Sequence, residues 1–574
     1  MEMKKKIVVL GGGFGGLTAA QTLDKLLRKN RNVEITLINK TPHQVYLTQL
    51  HEIAGNRIPE DGILYSLEAA LDQTRVKLVV DEIYKVDVKN RKLYGADNEY
   101  SFDYLILACG SEPAFFDIPG MKENAFTLWS HEDAIKIRNH IENMFEMASK
   151  EEDTEKRKEY LTFVVGGGGY TGIEMIGELV EWVEDLCIDY NIKKSEVSLM
   201  VVEALPTILP TMSDSLIENA TNYLKKKGVQ ILTNACIVNV TSNSITLKSG
   251  ETINTKTLIW TGGVQANSLV SQIGLETGKR NKVVVNEFME TSEPGIYAIG
   301  DNCYYQNKSG EVMPCLVESA IQSAQCAAYN IAAEINNKPK KPLKLKLHGN
   351  MVSIGSEYCI ADVMGLKLKG FLASTTKHLA DIHYLFGISG FGFIFDYIDR
   401  QFFRKTRNKP TVIKHIGVST SAAWLAILRI FLGYKWLMSG IDKVNSGWLS
   451  AGDKLVAGAS TAPIGPNTPE WYANFVESVI YPNAYLFQVM ITLGEIALGI
   501  CFILGLFTVL AALGSIFMNL NFIISGSGDM WFLVVSIVML AGAGRSFGLD
   551  YYVIPYISKV IKRLIRRGEF KLIN

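Results

Sequence analysis

The chain predicts two α/β dinucleotide-binding units of Rossmann type followed by a helical bundle in a membrane. Three observations carry this. Gly11, Gly13 and Gly16 stand in GxGxxG spacing within IVVLGGGFGGLTAA. Gly167, Gly169 and Gly172 repeat that spacing within FVVGGGGYTGIEMIGEL. The third is a concentration of apolar residues after position 420. Each glycine run follows a β-branched stretch and opens a helical pattern, the strand–turn–helix context that such a turn requires. The first glycine permits the tight turn, the second lets backbone approach a pyrophosphate, and the third lets helix and strand pack closely. The helix start then offers free N–H groups and a positive dipole end to phosphates. An ordinary tight turn explains either run alone, but two in one chain point to two dinucleotides, the pattern of a flavin that accepts hydride from a nicotinamide.

The first unit reads strand, turn, helix, strand over Lys6–Leu10, Leu17–Leu27 and Val33–Ile38. Short strands follow between residues 76 and 106, ending in YLILACGSEP, where Gly110 marks a crossing toward a second domain. The charge run ASKEEDTEKRK reads as a solvated linker or helix end. The second unit runs from Leu161 to about Glu203, and strands over 228–300 end in GIYAIGDN. Expected domains are therefore 1–115 and 286–345 for one dinucleotide, 116–160 as a connection, and 161–285 for the other. Residues 346–410 mix aromatics, glycines and cations, which suits a segment lying on a membrane surface or a dimer interface. The last domain is expected from residue 415 to 574.

That last domain holds one spanning candidate at Ser421–Gly440. A stretch from Ala484 to Gly528 follows, with Glu495 as its only charge, and is long enough for two helices broken near Leu504–Phe507. A shorter fourth candidate lies at Met530–Gly544, and the basic tail KVIKRLIRRGEFK belongs on the cytoplasmic side. Four spans return both ends to one face. Charges inside a bilayer are costly unless paired, so Arg429, Lys435, Glu495 and Arg545 are expected to face the bundle interior, with Arg429 against Glu495 as a candidate pair that shapes a pocket or an internal route, or serves as a structural ion pair.

Composition narrows the classes. Lys plus Arg and Asp plus Glu are each 58, giving zero formal charge, and no long basic run lies in the first 400 residues, so nucleic acid is not an expected partner. The eight cysteines are scattered without CxxC, which argues against zinc, an iron–sulfur cluster, any other cysteine-held metal and a dithiol pair. The N-terminus enters a strand with no signal-peptide apolar region, so the catalytic domains are expected in the cytoplasm.

Side chains at strand ends set nucleotide choice. Glu203 ends the strand after the second turn, where a carboxylate accepts from a ribose 2′-OH and repels a 2′-phosphate, favouring NADH over NADPH. It lies further past Gly169 than the usual ~20 residues, implying an extended helix through Trp182–Glu196. The matching position in the first unit is Asn39, followed by Lys40. Asp301 ends the third motif, where a carboxylate can bond a flavin ribityl chain or cap the helix start.

GGGFGGLTAA, ITLINKTPHQVYLTQLHEIAG, GGGGYTGIEMIGEL and YAIGDN, in that order over roughly residues 5–400, resemble the type II NADH dehydrogenases, which are single-chain NADH:quinone oxidoreductases that carry FAD and pump no protons. The resemblance implies FAD held by Gly11, Gly12, Gly13, Phe14, Gly15, Gly16, Asn39, Lys40, Thr48, Ile83, Gly110, Asp301, Ala320 and Lys377. It implies NADH held by Gly167, Gly169, Gly172 and Glu203, and Gly263 is a further expected cofactor-binding residue. It gives Glu174 a proton-handling role beside nicotinamide and flavin, against the simpler reading of a first-turn carboxylate on a helix dipole. The family's quinone-side AQxAxQxG reads here Val317–Ala324, with Glu318 in place of glutamine, Gln322 retained and Ala324 in place of glycine. The C-terminal region resembles DoxX-like four-helix membrane proteins in AAWLAILRIFLGYKWLMSGIDKV and LGEIALGICFILGLFT, and such fusions resemble dehydrogenases that feed extracellular electron transfer. The expected enzyme is membrane-bound and multi-pass, with a homodimer left open. The competing readings are a sulfide:quinone oxidoreductase, which needs flavin-facing cysteines, and a membrane redox-sensing or transport module.

Overall fold

The computed structural model describes residues 4–403, 423–465, 468–554 and 556–557. They fall into two compact units, Met1–Gly417 and Val418–Asn574.

Two parallel five-stranded sheets organise the first unit. One has the order Ile296–Ala298, Tyr104–Leu107, Lys5–Leu10, Val33–Asn39, Lys77–Val80. Its central strands are the apolar ones, Ile7–Leu10 and Leu105–Leu107 being buried throughout, while the edge strand Lys77–Val80 is partly exposed. Ile7, Val9, Leu37, Leu105 and Ile106 are fully buried. Helix Phe14–Leu27 sinks Leu17, Leu23 and Leu27 onto this sheet, and helix Val317–Ile335 packs beside it. The other sheet has the order Phe126–Thr127, Thr257–Trp260, Thr162–Gly166, Ser198–Val202, Gln230–Leu232. Its helix Tyr170–Asp189 runs 20 residues and is followed by a short turn at Lys194–Glu196. These two elements account for the long spacing between Gly169 and Glu203.

The strand ending in Leu107 leads into an antiparallel ribbon, Ser111–Pro113 against Val264–Ala266, which links the two halves. The charge run after residue 148 spans the end of helix His131–Lys150 and a short helix Thr154–Tyr160. Asp153 caps the latter by accepting from Glu155 and Lys156.

A three-stranded antiparallel sheet, Gly349–Ile354, Tyr358–Val363 and Leu366–Lys369, packs on helix Tyr170–Asp189. The approach is close: a Cβ on Gly177 would stand 2.4 Å from the Gly355 nitrogen. Helices Phe371–Ser389 and Phe391–Ile398 follow. Phe371, Leu372, Leu379 and Phe395 on them are 82%, 63%, 60% and 62% exposed.

In the second unit, helices cover Ala423–Asn445, Ala484–Leu504, Thr508–Ile524 and Met530–Met539. Two segments are long and apolar enough to cross a bilayer, Trp424–Asn445 with 22 residues and Glu470–Leu504 with 35. The other two helices have 17 and 10 residues, short of the ~20 that a straight crossing requires. The expected break falls at Gly505–Phe507, where Gly505 and Phe507 both take positive φ. Gly433 and Gly440 let the first helix close on the second, where Gly499 faces Leu437.

The expected Arg429–Glu495 pair does not form. Glu495 accepts from Lys443 at 2.9 Å through both carboxylate oxygens. Arg429, fully buried, donates to the carbonyls of Ala543 at 3.4 Å and Phe547 at 3.1 Å. The cause is antiparallel register. Gly440 lies against Glu495 and Ile496, whereas Arg429 lies beside Gly505 near the far end of the partner helix. Lys435 is exposed rather than turned to the interior as expected, with its ammonium 5.8 Å from the Phe431 ring centre. The Arg545 side chain and the basic tail fall outside the described residues.

Candidate active site at two glycine turns

The two turns are near copies. Gly11 takes φ +107° and Gly167 φ +111°, a left-handed region that glycine alone enters easily. A Cβ on Gly16 would meet the Gly11 carbonyl oxygen at 1.8 Å, and one on Gly172 would meet the Gly167 oxygen at 1.9 Å. The middle glycines differ in kind: nothing lies within 4 Å of a Cβ built on Gly13 or Gly169. Both begin their helices in extended conformation with no side-chain cap. Open space over uncapped N–H groups is what a dinucleotide pyrophosphate fits, so the residues present suit FAD on one turn and NADH on the other.

Each turn is held by the side chain at the end of the neighbouring strand. Asn39 Oδ1 accepts from the Gly12 N–H at 2.8 Å, and Asn39 Nδ2 donates to the Thr41 carbonyl at 2.8 Å. Glu203 Oε2 accepts from the Gly168 N–H at 2.5 Å, and its Oε1 from Leu205 at 2.7 Å. Glu203 is buried.

The remaining expected residues gather around the first turn in part. Gly15 faces Ile299 and the Ala320 carbonyl, and Gly300 faces the Ala320 methyl. Asp301 Oδ2 accepts from Ser111 Oγ at 2.8 Å, one residue past the open Gly110. The Phe14 ring lies 5.3 Å from Tyr46 and 5.0 Å from Tyr384. Ile83 is buried and Thr48 exposed. Lys40 turns to the surface and pairs with Glu82 at 2.8 Å. Gly263, at φ +147°, faces the Phe116 ring. Glu318 and Gln322 both clamp the segment leading into strand Gly349–Ile354. Glu318 accepts from the His348 N–H at 2.9 Å and contacts His348 Nδ1 at 2.8 Å, while Gln322 exchanges two bonds with the Lys346 backbone.

Behind the turns lies a buried polar cluster that the sequence pattern did not announce. Glu174, on the first turn of the second helix, contacts His51 Nδ1 at 3.5 Å and Ser353 Oγ at 3.4 Å. Burial pushes its carboxyl up to about 8. Burial likewise lowers the His51 imidazole well below its ordinary value. Glu52, fully buried, behaves oppositely. Burial opposes its charge, but Arg57 at 2.6 Å and Lys377 at 3.3 Å hold it well below the usual carboxylate range. Gln401 also donates to Glu52. Lys377 is kept as an ammonium by Glu52 and Asp381 despite its burial. Asp381, raised by burial, accepts from Tyr46 at 2.7 Å and Tyr397 at 3.0 Å. Thus Glu174 and Lys377, both anticipated, come together with His51, Glu52, Arg57, Ser353 and Asp381, which were not. The only sequence trace of the latter is the LHE triplet.

Comparisons with known proteins accord with this geometry. The family described as pyridine nucleotide-disulphide oxidoreductase matches residues 5–329, and the DoxX family matches residues 424–528. The fold and its paired turns therefore define a nicotinamide-dependent flavoprotein oxidoreductase. Over 398 residues the chain is 30% identical to a type II NADH:quinone oxidoreductase of Staphylococcus saprophyticus, covering 68% of this chain and 98% of that protein. The Staphylococcus aureus protein of the same name is 31% identical over 400 residues, with the same coverage. The chain belongs to the type II NADH:quinone oxidoreductase family. Among solved structures, the Plasmodium falciparum NDH2 in complex with NADH shares the fold, with a TM-score of 0.63 at 20% identity over 71% of this chain and all of that one. The sulfide:quinone oxidoreductase of Aquifex aeolicus does so at 0.56 and 16% identity, covering 69% of this chain and 95% of that one.

Proposed function

We infer that this chain is a membrane-associated flavoenzyme that oxidises NADH through FAD and reduces a membrane quinone without pumping protons. The observation that carries the reading is the pair of open, uncapped glycine turns, each tied to its own strand end. FAD, when bound, supplies the chemistry that accepts hydride from NADH and returns two electrons to a quinone.

The chain's residues divide the remaining work. Gly11–Gly16, Asn39, Asp301 and Ala320 hold the FAD, with Thr48, Ile83, Gly110 and Lys40 at its edges. Gly167, Gly169, Gly172 and Gly263 hold NADH, and Glu203 disfavours a 2′-phosphate by charge. Lys377 brings a fixed positive charge to the buried side. Glu174, held up to about 8 by burial, is protonated at neutral pH and can give or take the proton that accompanies electron transfer. Glu318 and Gln322 mark the quinone edge, where Glu318 makes the site more polar than the family's glutamine does.

Exposed Phe371, Leu372 and Leu379 give the catalytic unit an apolar face for lipid. The DoxX region anchors the chain as a multi-pass protein with the catalytic domains in the cytoplasm. Electrons leaving as quinol then serve an acceptor beyond the membrane. A homodimer is compatible with this arrangement.

Steady-state NADH oxidation with ubiquinone, menaquinone and demethylmenaquinone analogues tests the reading, with sulfide offered as the alternative reductant. NADH-driven quinone reduction without sulfide activity is expected. Sulfide oxidation in the absence of NADH turnover would move the chain to the sulfide:quinone class.

A further inference from the structure

Glu174, His51 and Ser353 come from three remote elements and close into a ring. Helix Leu50–Ala54 brings His51, the first turn of helix Tyr170–Asp189 brings Glu174, and strand Gly349–Ile354 brings Ser353. Glu174 Oε2 lies 3.5 Å from His51 Nδ1. His51 Nε2 lies 3.3 Å from Ser353 Oγ, and Ser353 Oγ lies 3.4 Å from Glu174 Oε1. The two Ser353 contacts have hydrogen-bond geometry and the His51–Glu174 contact stands just outside it; catalytic hydrogen bonds are often long or poorly aligned before substrate binds and tighten in the reacting complex.

The ring has a directional property. A carboxylic acid, a neutral imidazole and a hydroxyl each carry one donor and at least one acceptor. Within the ring each can donate once and accept once, so the circuit can run in either sense, while the Ser353 N–H donates to Glu174 Oε1 at 3.5 Å from outside the ring. The neighbouring Glu52, Arg57 and Lys377 pair with one another; Glu52 Oε1 lies 3.9 Å from His51 Nε2, beyond hydrogen-bond reach, so these charges set the field around the ring without entering it. His51 is 2% exposed, so water does not compete for its ring nitrogens.

We propose that His51 and Ser353 act as a relay that carries the Glu174 proton from one carboxyl oxygen to the other. The bond from Oε2 to hydrogen breaks as Nδ1–H forms. The Nε2–H bond breaks as a new Oγ–H forms, and the former Oγ–H bond breaks as Oε1–H forms. Three protons shift by one place, no group gains net charge, and His51 ends as its other tautomer. A proton taken up at one edge of the carboxyl is then presented at the other without turning the half-buried side chain. Ser353 and His51 pass the proton and act on the reaction through Glu174, which presents it. The inference rests on the reading of Glu174 as the proton-handling group.

Isotope-edited infrared spectroscopy of the full chain with bound flavin, its glutamates carrying carbon-13, tests this directly. The protonated carboxyl band is assigned by its loss in Glu174→Gln. Two components are expected in the wild type, one for each proton position. Ser353→Ala and His51→Gln should each leave one, and Ser353→Thr, which keeps the hydroxyl, should restore both. Rapid-mixing reoxidation by a quinone adds a second readout. Its rate in mixtures of light and heavy water should curve with deuterium content in the wild type and become linear in Ser353→Ala. A single band in the wild type, or two bands untouched by either substitution, overturns the relay. Wild-type turnover in Glu174→Gln would instead overturn the proton role of Glu174. If His51→Gln does not fold, Ser353→Ala and Ser353→Thr decide the matter.

Discussion

The first and second glycine turns share one backbone and differ in two side chains. At the strand end, the first uses neutral Asn39 and the second uses charged Glu203, each accepting the N–H of the residue after the first glycine. Two residues past the last glycine, the first helix carries Thr18, whose hydroxyl donates to Phe14 within its own helix at 2.7 Å. The second carries Glu174, turned into the buried cluster. Backbone geometry is thus common to both turns, and on the proposed reading these two positions make one a structural holder and the other a selective, proton-handling site.

The largest effects should come from the glycines that the two turns share. In Gly16→Ala the new methyl meets the Gly11 carbonyl at 1.8 Å, and colourless protein on purification is expected. The equivalent Gly172→Ala, at 1.9 Å from the Gly167 carbonyl, should stay yellow and lose its absorbance change with NADH while still responding to dithionite. Equal behaviour of the two variants would erase the division of labour.

Glu174→Gln sharpens the contrast through pH. The wild-type carboxyl is protonated below about 8. Quinone reduction that uses its proton should therefore fall as pH rises through that value. In Glu174→Gln the limb should vanish and turnover drop about 10²-fold or more. Stability has the same sign. Between the ordinary carboxylate range and about 8 the folded state binds the extra proton, so wild-type stability should decline with rising pH across that window, and the variant should lack this slope. Denaturant midpoints at several pH values check it.

Smaller changes are expected at the strand ends. Glu203→Gln keeps an acceptor for Gly168 and removes the charge. It should raise KM for NADH by about tenfold, worth ~1.4 kcal/mol, and narrow the preference over NADPH. Asn39→Ala removes the single acceptor for Gly12, a loss of ~1 kcal/mol. It should show only as faster flavin release on dilution.

The turns were legible because GxGxxG states a local backbone demand that neighbouring residues either meet or fail. Strand apolarity, the Gly110 crossing and the break at Gly505 were legible for the same reason. The buried cluster was not, because its charges pair across the whole first unit. Glu52 meets Lys377 and Gln401, and Glu174 meets Ser353. No spacing along the chain records a contact made by tertiary packing. The membrane region shows both sides of this. Hydropathy located its apolar helices, but their antiparallel register decided that Glu495 meets Lys443 and that Arg429 serves carbonyls near residue 545. Helix length also departed from expectation, since Met530–Met539 ends after ten residues.

Anaerobic titration of the purified chain, followed by its visible spectrum, bears most directly on two dinucleotides sharing one polypeptide. One flavin per chain should be bleached by a single equivalent of NADH and restored by adding a soluble quinone. Protein that carries no flavin, or a flavin that NADH leaves untouched, would contradict it.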